Sequence, residues 1–123
     1  MPVVKGADKM TLSELVVESK KIVKKALDMK LTPDEQSGST FTISNLGMFG
    51  VQSFNPIINQ PNSAILGVSS TVEKPVVVNG EITVRPMMTL TLTIDHRVVD
   101  GLAGAKFMHD LKNALENPIS LLI

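Results

Sequence analysis

The 123-residue chain reads as one α+β domain, with helices flanking a mainly antiparallel or mixed sheet. Three features predict this: apolar residues at helical spacing near both ends, alternation of period two between them, and one strong hairpin dipeptide. In the first helical stretch, Leu12, Leu15, Val16, Ile22, Val23, Ala26 and Leu27 share one side. Glu14, Glu18, Lys21, Lys24, Lys25 and Asp28 take the other, with Val17 out of place. Thr11-Leu12-Ser13-Glu14 fits a capping box, in which the Thr hydroxyl and the Glu carboxylate each satisfy an amide of the opening turn. The spacing predicts an amphipathic helix over residues 12–29. Lys30–Thr40, with Thr32-Pro33 and Ser37-Gly38-Ser39, predicts a loop.

From Phe41 the period changes. Phe41-Thr42-Ile43-Ser44 alternates as a short strand that stops at Gly47 and Gly50, while Asn55-Pro56 and Gln60-Pro61-Asn62 break regular structure after it. Ala64–Ser69 is apolar enough to be a strand covered on both faces. Val76–Val78 and Glu81–Val84 flank Asn79-Gly80, a pair that tolerates the positive φ of a tight hairpin. Met88, Leu90, Leu92 and Ile94 then alternate with Thr89, Thr91 and Thr93, giving a strand with one greasy and one hydroxyl-lined face. Asp100 is a good N-cap for a last helix whose stripe is Ala103, Phe107, Met108, Leu111, Ala114 and Leu115, stopped at Asn117-Pro118.

Composition narrows the function classes. A net charge of zero offers no field for nucleic acid or an anionic membrane, and an aromatic content of 3% argues against a platform for stacking bases. With no cysteine, the chain has no disulfide, thiolate ligand or thiol nucleophile. No apolar run approaches the roughly 20 residues that cross a bilayer, and MPVVKGADKM is too short and polar for a secretory leader. These features set the expectation of a soluble intracellular domain without membrane or nucleic-acid partners. No His, Asp and Glu cluster has ligand spacing, so no metal site is expected.

The two histidines differ in setting. His109 falls on the polar side of the last helix among Lys106, Asn113 and Glu116, where a solvated surface histidine is the simpler reading. His96 falls where the Thr-alternating strand ends, among Asp95, Arg97 and Asp100, at a corner where a rigid element presents a side chain at a sheet rim. Its competing readings are a catalytic base and a histidine paired with a carboxylate to hold the corner. Gly47-Met48-Phe49-Gly50 lacks the helix cap and lysine of a phosphate cradle and reads as a strand exit.

DHRVVDG (Asp95–Gly101) has the His-x-x-x-Asp-Gly arrangement shared by chloramphenicol acetyltransferases and dihydrolipoamide acyltransferases, and its Asp95 and Arg97 resemble the latter. GSTFTISNLGMFG (Gly38–Gly50), INQPNSAILGV (Ile58–Val68) and GLAGAKFMHDL (Gly101–Leu111) are similar to that family too, in the same order. One motif alone is weak; four ordered segments are specific. The resemblance implies a partial chloramphenicol acetyltransferase-like fold. It also implies transfer of an acyl group between a dihydrolipoyl arm and coenzyme A, within a 2-oxoacid dehydrogenase complex of the cytoplasm (the mitochondrial matrix if eukaryotic). A thiol of pKa about 8.5 is mostly protonated at neutral pH, and an imidazole of pKa about 6.5 is suited to take its proton.

By resemblance His96 is the general base, Ser44 donates to the oxyanion, and Asp100 supports the active-site loop, while its position also suits an N-cap. Asp95 and Arg97 pair with each other or across a subunit contact. The absence of cysteine suits direct transfer, since an enzyme thiol could intercept the acyl group. The resemblance further implies a homo-oligomer built from trimers, with the serine and histidine meeting across the trimer interface. Partners would be the complex's other components and a lipoyl domain that is not in this chain.

Family catalytic domains are about twice this long, so residues 1–123 resemble the C-terminal half, and much of the wall gripping both substrates is expected from elsewhere. FTISNLGMFG is more like the acetyl-transferring branch than the succinyl-transferring one, which places Thr at the Ser44 position. Two other readings remain: an assembly module that keeps oligomer contacts without activity, and an antibiotic acetyltransferase, which fits the flanking segments less well. The apolar end Ile119, Leu121, Leu122 and Ile123 either folds back on the sheet or joins subunits.

Overall fold

The computed structural model describes residues 1–121 and divides into two compact units, Met1–Thr40 and Phe41 onward. In the first, helix α1 (Leu12–Leu27) opens on the predicted capping box: the Glu14 amide donates to Thr11 Oγ1 at 3.3 Å and the Thr11 amide to Glu14 Oε2 at 2.8 Å. The helix stops two residues before the predicted end because Met29 takes φ of 55° and turns the chain away. Of its apolar stripe only Ile22 is buried, while Leu12, Val16, Val23 and Leu27 are exposed.

The predicted loop after α1 holds a short 3₁₀ turn, Asp34–Gln36, organised by Glu35. The Glu35 carboxylate accepts from the Thr32 amide at 3.0 Å and pairs with Lys25 in the last turns of α1. The Glu35 carbonyl accepts from the Val3 amide at 2.9 Å. One residue thereby ties together the N-terminal segment, the helix and the loop.

In the second unit a three-stranded mixed sheet is ordered β1 (Thr42–Asn45), β2 (Ala64–Val68) and β5 (Leu90–Ile94). β1 runs parallel to β2, with Ser44 opposite Gly67; β5 runs antiparallel, with Thr91 opposite Gly67 and Ile94 opposite Ala64. As expected for a covered strand, Ile65, Leu66 and Gly67 of β2 are all buried. Gly67 leaves room on one face for Phe54 and Pro56, whose side chains would stand 3.0 and 3.2 Å from a Cβ there. Helix α2 (Gly101–Glu116) covers the other face, and a Cβ on Gly104 would stand 3.2 Å from Ile94 Cδ1. The buried position of α2 is thus Gly104, beside the predicted stripe; Met108, Leu111 and Ala114 are half-buried, Ala103 is exposed, and Phe107 meets Phe41 in a tilted contact with ring centroids 5.8 Å apart.

β3 (Val72–Val78) and β4 (Glu81–Met87) form a separate hairpin around Asn79-Gly80, both at positive φ as predicted. It is longer than its sequence suggested because it contains Pro75 and Pro86, residues that ordinarily end a strand. Counting from the two-residue turn, both fall at pairs that exchange no backbone bonds, so a missing N–H costs the ladder nothing. After α2, Pro118–Leu121 forms a 3₁₀ turn with Ile119 and Leu121 exposed. Leu122 and Ile123, the last of the apolar end, lie outside the described residues.

Glu35 makes the first unit sensitive to acid. Its bond from Lys25, then that from the Thr32 amide, lower its pKa from 4.5 to about 2. A carboxyl depressed in the folded state contributes stability that is present above its unfolded pKa and is lost as pH falls through the folded value. The gap in thermal midpoint between wild type and Glu35→Gln is therefore expected to be largest above about pH 5 and to close toward pH 2. A gap independent of pH, in melts followed by circular dichroism, would contradict this role.

Candidate active site

The corner after β5 is built by one residue, Asp95. Its amide donates to the Ser63 carbonyl at 2.8 Å, continuing the β2–β5 ladder by one step. Its carbonyl accepts from the amides of Val98 and Val99, both at 2.9 Å, which closes a turn around His96 and Arg97. Its carboxylate accepts from the Arg97 amide at 3.0 Å and from the guanidinium at 2.9 Å (Nε) and 2.6 Å (the terminal nitrogen). The Arg97 side chain, then its amide, hold the Asp95 carboxyl far below its usual range, at about 2. Of the two pairings open at the sequence level, the structure has the local one.

His96 sits inside this turn and is exposed. Its ring reaches toward the start of α2, where a Cβ placed on Gly101 would lie 3.8 Å from Nε2, an ordinary contact. Asp100 caps α2, its Oδ1 accepting from the Ala103 amide at 2.7 Å. That bond fills one of the open donors at a helix start, so the capping half of its expected role is directly visible. His109 is exposed on α2, beside Asp110 at 3.2 Å and Asn113 at 3.3 Å.

Ser44 lies half-buried in β1, on the face that Gly67 and Thr91 share. The strand exit beyond it is fixed by the Leu46 amide donating to the Val68 carbonyl at 3.0 Å and by the Gly47 amide donating to Asn45 Oδ1 at 2.9 Å. Gly47–Phe49 is a 3₁₀ turn, and a Cβ on Gly47 would lie 2.9 Å from the Ser69 carbonyl oxygen, so this exit needs a glycine.

Ser44 and His96 do not meet in one copy of the chain. The register places Ser44 level with Thr91, while His96 follows β5 past its other end and lies two strands across. At strand rise and spacing this separates them by about 20 Å.

Sequence reasoning gave no role to residues 51–62, which the structure lays over the Ser44 face. Asn62 Nδ2 donates to Thr42 Oγ1 at 2.6 Å in a buried bond, and Pro56, Ile58, Gln60, Thr93 and Asp95 line an open hollow below the His96 turn. Prolines and asparagines mark such a segment as irregular, but nothing in them says which face it covers. Among the described residues no group of three or more His, Asp or Glu side chains is placed to hold a metal ion. Nor is any helix among them long and apolar enough to cross a membrane.

The second unit is thus a mixed sheet covered on one face by one helix, with a histidine at a strand-to-helix corner and a serine on a strand of the same sheet. The chain belongs to the 2-oxoacid dehydrogenases acyltransferase (catalytic domain) family, whose model matches residues 1–123. It is 48% identical over 122 residues to the dihydrolipoyllysine-residue acetyltransferase component of the Rickettsia conorii pyruvate dehydrogenase complex, covering 99% of this chain and 30% of that one. Among solved structures it is similar to the cubic core of a pyruvate dehydrogenase multienzyme complex, with a TM-score of 0.93, 38% identity, and 99% and 50% of the two chains covered.

It is also similar to the Azotobacter vinelandii dihydrolipoamide acetyltransferase, with a TM-score of 0.93, 39% identity and the same coverage. That enzyme was the subject of crystallographic and enzymatic investigations of the role of a serine, a histidine and an asparagine in its catalytic mechanism. There the histidine follows the serine by 52 positions and the asparagine follows the histidine by four; Ser44, His96 and Asp100 stand at the same intervals. The chain thus spans about half of these solved chains and under a third of the curated relative.

The cap makes Asp100 testable apart from any chemistry. Asp100→Ala is expected to cost about 0.5–2 kcal/mol of stability, and Asp100→Asn, which can still accept from Ala103, much less. Urea unfolding of the three forms measures this; equal midpoints for Ala and Asp would show that the cap carries no weight.

Proposed function

We propose that this chain supplies the general base and the oxyanion donor for transfer of an acyl group, acetyl in our reading, between dihydrolipoamide and coenzyme A in a 2-oxoacid dehydrogenase complex. The observation that carries this reading is the coincidence of Ser44, His96 and Asp100 with the intervals of the three residues studied in the Azotobacter enzyme, within a chain of the same family. The imidazole of His96 takes the proton from the coenzyme A thiol as its sulfur attacks the thioester carbonyl carbon. The Ser44 hydroxyl donates to the oxygen that becomes negative, where one such donor is worth about 3–4 kcal/mol. Collapse breaks the bond to the dihydrolipoyl sulfur, which leaves as a thiolate and receives the proton from His96. Coenzyme A and the lipoyl arm are both substrates, the arm being carried on a domain outside this chain.

Because the two residues are about 20 Å apart within a copy, this mechanism requires the serine of one copy to face the histidine of another. A trimer-based homo-oligomer, assembled with the other components of the complex in the cytoplasm, supplies that geometry. The alternative reading is an assembly module without activity. It is favoured by the chain's coverage of only half of the solved structures, whose remaining half would complete the substrate walls. Binding of coenzyme A by the chain, measured by titration, would exclude the module reading, since a module lacking those walls does not bind it.

In the assembled, active form, His96→Ala is expected to abolish nearly all transfer without unfolding the protein, and retention of a tenth of the rate would end the assignment. Ser44→Ala is expected to lower kcat by roughly 10²–10³-fold with KM nearly unchanged, as befits an interaction made in the transition state. His109→Ala serves as the silent control.

Assembly is tested at the apolar end. Ile119 and Leu121 are 70% and 65% exposed, and each such side chain gains about 1.5–3 kcal/mol on full burial. Deleting Leu121–Ile123 is expected to lower the assembly state seen by sedimentation while secondary structure is kept. A monomeric parent, or a truncation that assembles as before, would contradict the role.

A further inference from the structure

Asp95 and Arg97 flank the proposed base, and the mechanism above uses neither. Their geometry around His96 is specific. One Asp95 carboxylate oxygen reaches over the histidine to the Arg97 amide at 3.0 Å, and both oxygens engage the guanidinium, at 2.9 and 3.2 Å from Nε and 2.6 Å from the terminal nitrogen. The Asp95 backbone completes the clamp, with its amide on the Ser63 carbonyl at 2.8 Å and its carbonyl receiving the Val98 and Val99 amides at 2.9 Å. The peptide units on both sides of His96 are therefore bound to one residue that is itself anchored to the end of β2.

We propose that the Asp95–Arg97 clamp is a positioning device for His96, holding the turn that seats the imidazole against Gly101 at the start of α2. This rests on the reading of His96 as the base, and it adds the means by which a ring on an exposed turn is held in one place. A free turn would let the ring sample several rotamers, each closed off from the others by little in an exposed site, and misplacement of a reacting group by about 1 Å can cost about 10²-fold in rate. The pair suits this task because a carboxylate and a planar guanidinium bind through two parallel bonds, which fix orientation as well as distance. The arginine also lowers the carboxyl pKa to about 2, so the pair stays charged well into the acid range.

The chain has two histidines, so ring resonances are assigned with one variant, and His109 on α2 is an internal control. In wild type a nuclear Overhauser cross-peak is expected between the His96 ring protons and the Gly101 α-protons, given the 3.8 Å approach of Nε2 to the Cβ position. In Asp95→Ala that cross-peak is expected to vanish while the His109 resonances stay in place. In the assembled, active form kcat is expected to fall about 10–100-fold with KM within twofold. Asp95→Asn keeps an acceptor for the Arg97 amide and is expected to restore the cross-peak and most of kcat.

Arg97→Gln, which removes only the guanidinium arm, is expected to weaken the cross-peak and lower kcat several-fold, and it decides the matter if Asp95→Ala fails to fold. A cross-peak and kcat unchanged in Asp95→Ala, or in Arg97→Gln where the alanine variant does not fold, would overturn the proposal. So would a loss that appears in KM alone. Should His96→Ala stay active, the assignment of the base fails, while the cross-peak still reports whether the clamp seats the ring.

Discussion

Strand β2 pairs parallel to β1 on one side and antiparallel to β5 on the other, and the placement of Ser44 and His96 follows from that mixed pairing. Its middle residues, Ile65, Leu66 and Gly67, are buried because both faces are covered, by α2 on one and by Phe54 and Pro56 on the other. Burial on two faces sets the register firmly, since a slip of one residue would exchange the two sets of side chains. With the register set, β1 carries Ser44 toward one end of the sheet while β5 delivers His96 at the other. A domain built this way holds each group on a fixed element and keeps the two apart within one copy.

The corner at His96 depends on the same strand. The bond from the Asp95 amide to the Ser63 carbonyl extends the β2–β5 ladder to the first residue of the turn. From there Asp95 binds Arg97, Val98 and Val99, and Asp100 begins α2 by capping it. α2 returns across the sheet at the closeness that Gly104 permits, against Leu92 and Ile94 of β5. Strand, turn, cap and helix form one chain of local bonds, with the imidazole at its exposed point.

Much of this was legible in the amino-acid order. Thr11 and Glu14, Asp100 before α2, and Asn79-Gly80 act through bonds or backbone angles spanning a few residues, so their signatures are local and held as read. Where the reading slipped, a longer-range effect had intervened. α1 ended at Leu27, short of the predicted Met29, a good helix former that takes a positive φ where the chain turns toward the Glu35-centred loop. The β3–β4 hairpin ran through Pro75 and Pro86, since register decides whether a missing N–H matters and proline content alone does not reveal register. The helical stripe of α2 missed Gly104, which is buried through lacking a side chain, and hydrophobic spacing does not register such a residue.

The sequence by itself determined the α+β class, the helix caps and the hairpin turn, because each rests on residue type at short spacing. The family followed from four ordered segments that resemble it. Only the tertiary structure decided that Asp95 binds Arg97 around the histidine, that residues 51–62 cover the Ser44 face, and that Ser44 and His96 lie far apart within one copy. Those outcomes depend on which strands pair, in which direction and in which register, and pairing joins residues too distant along the chain for any local pattern to encode it.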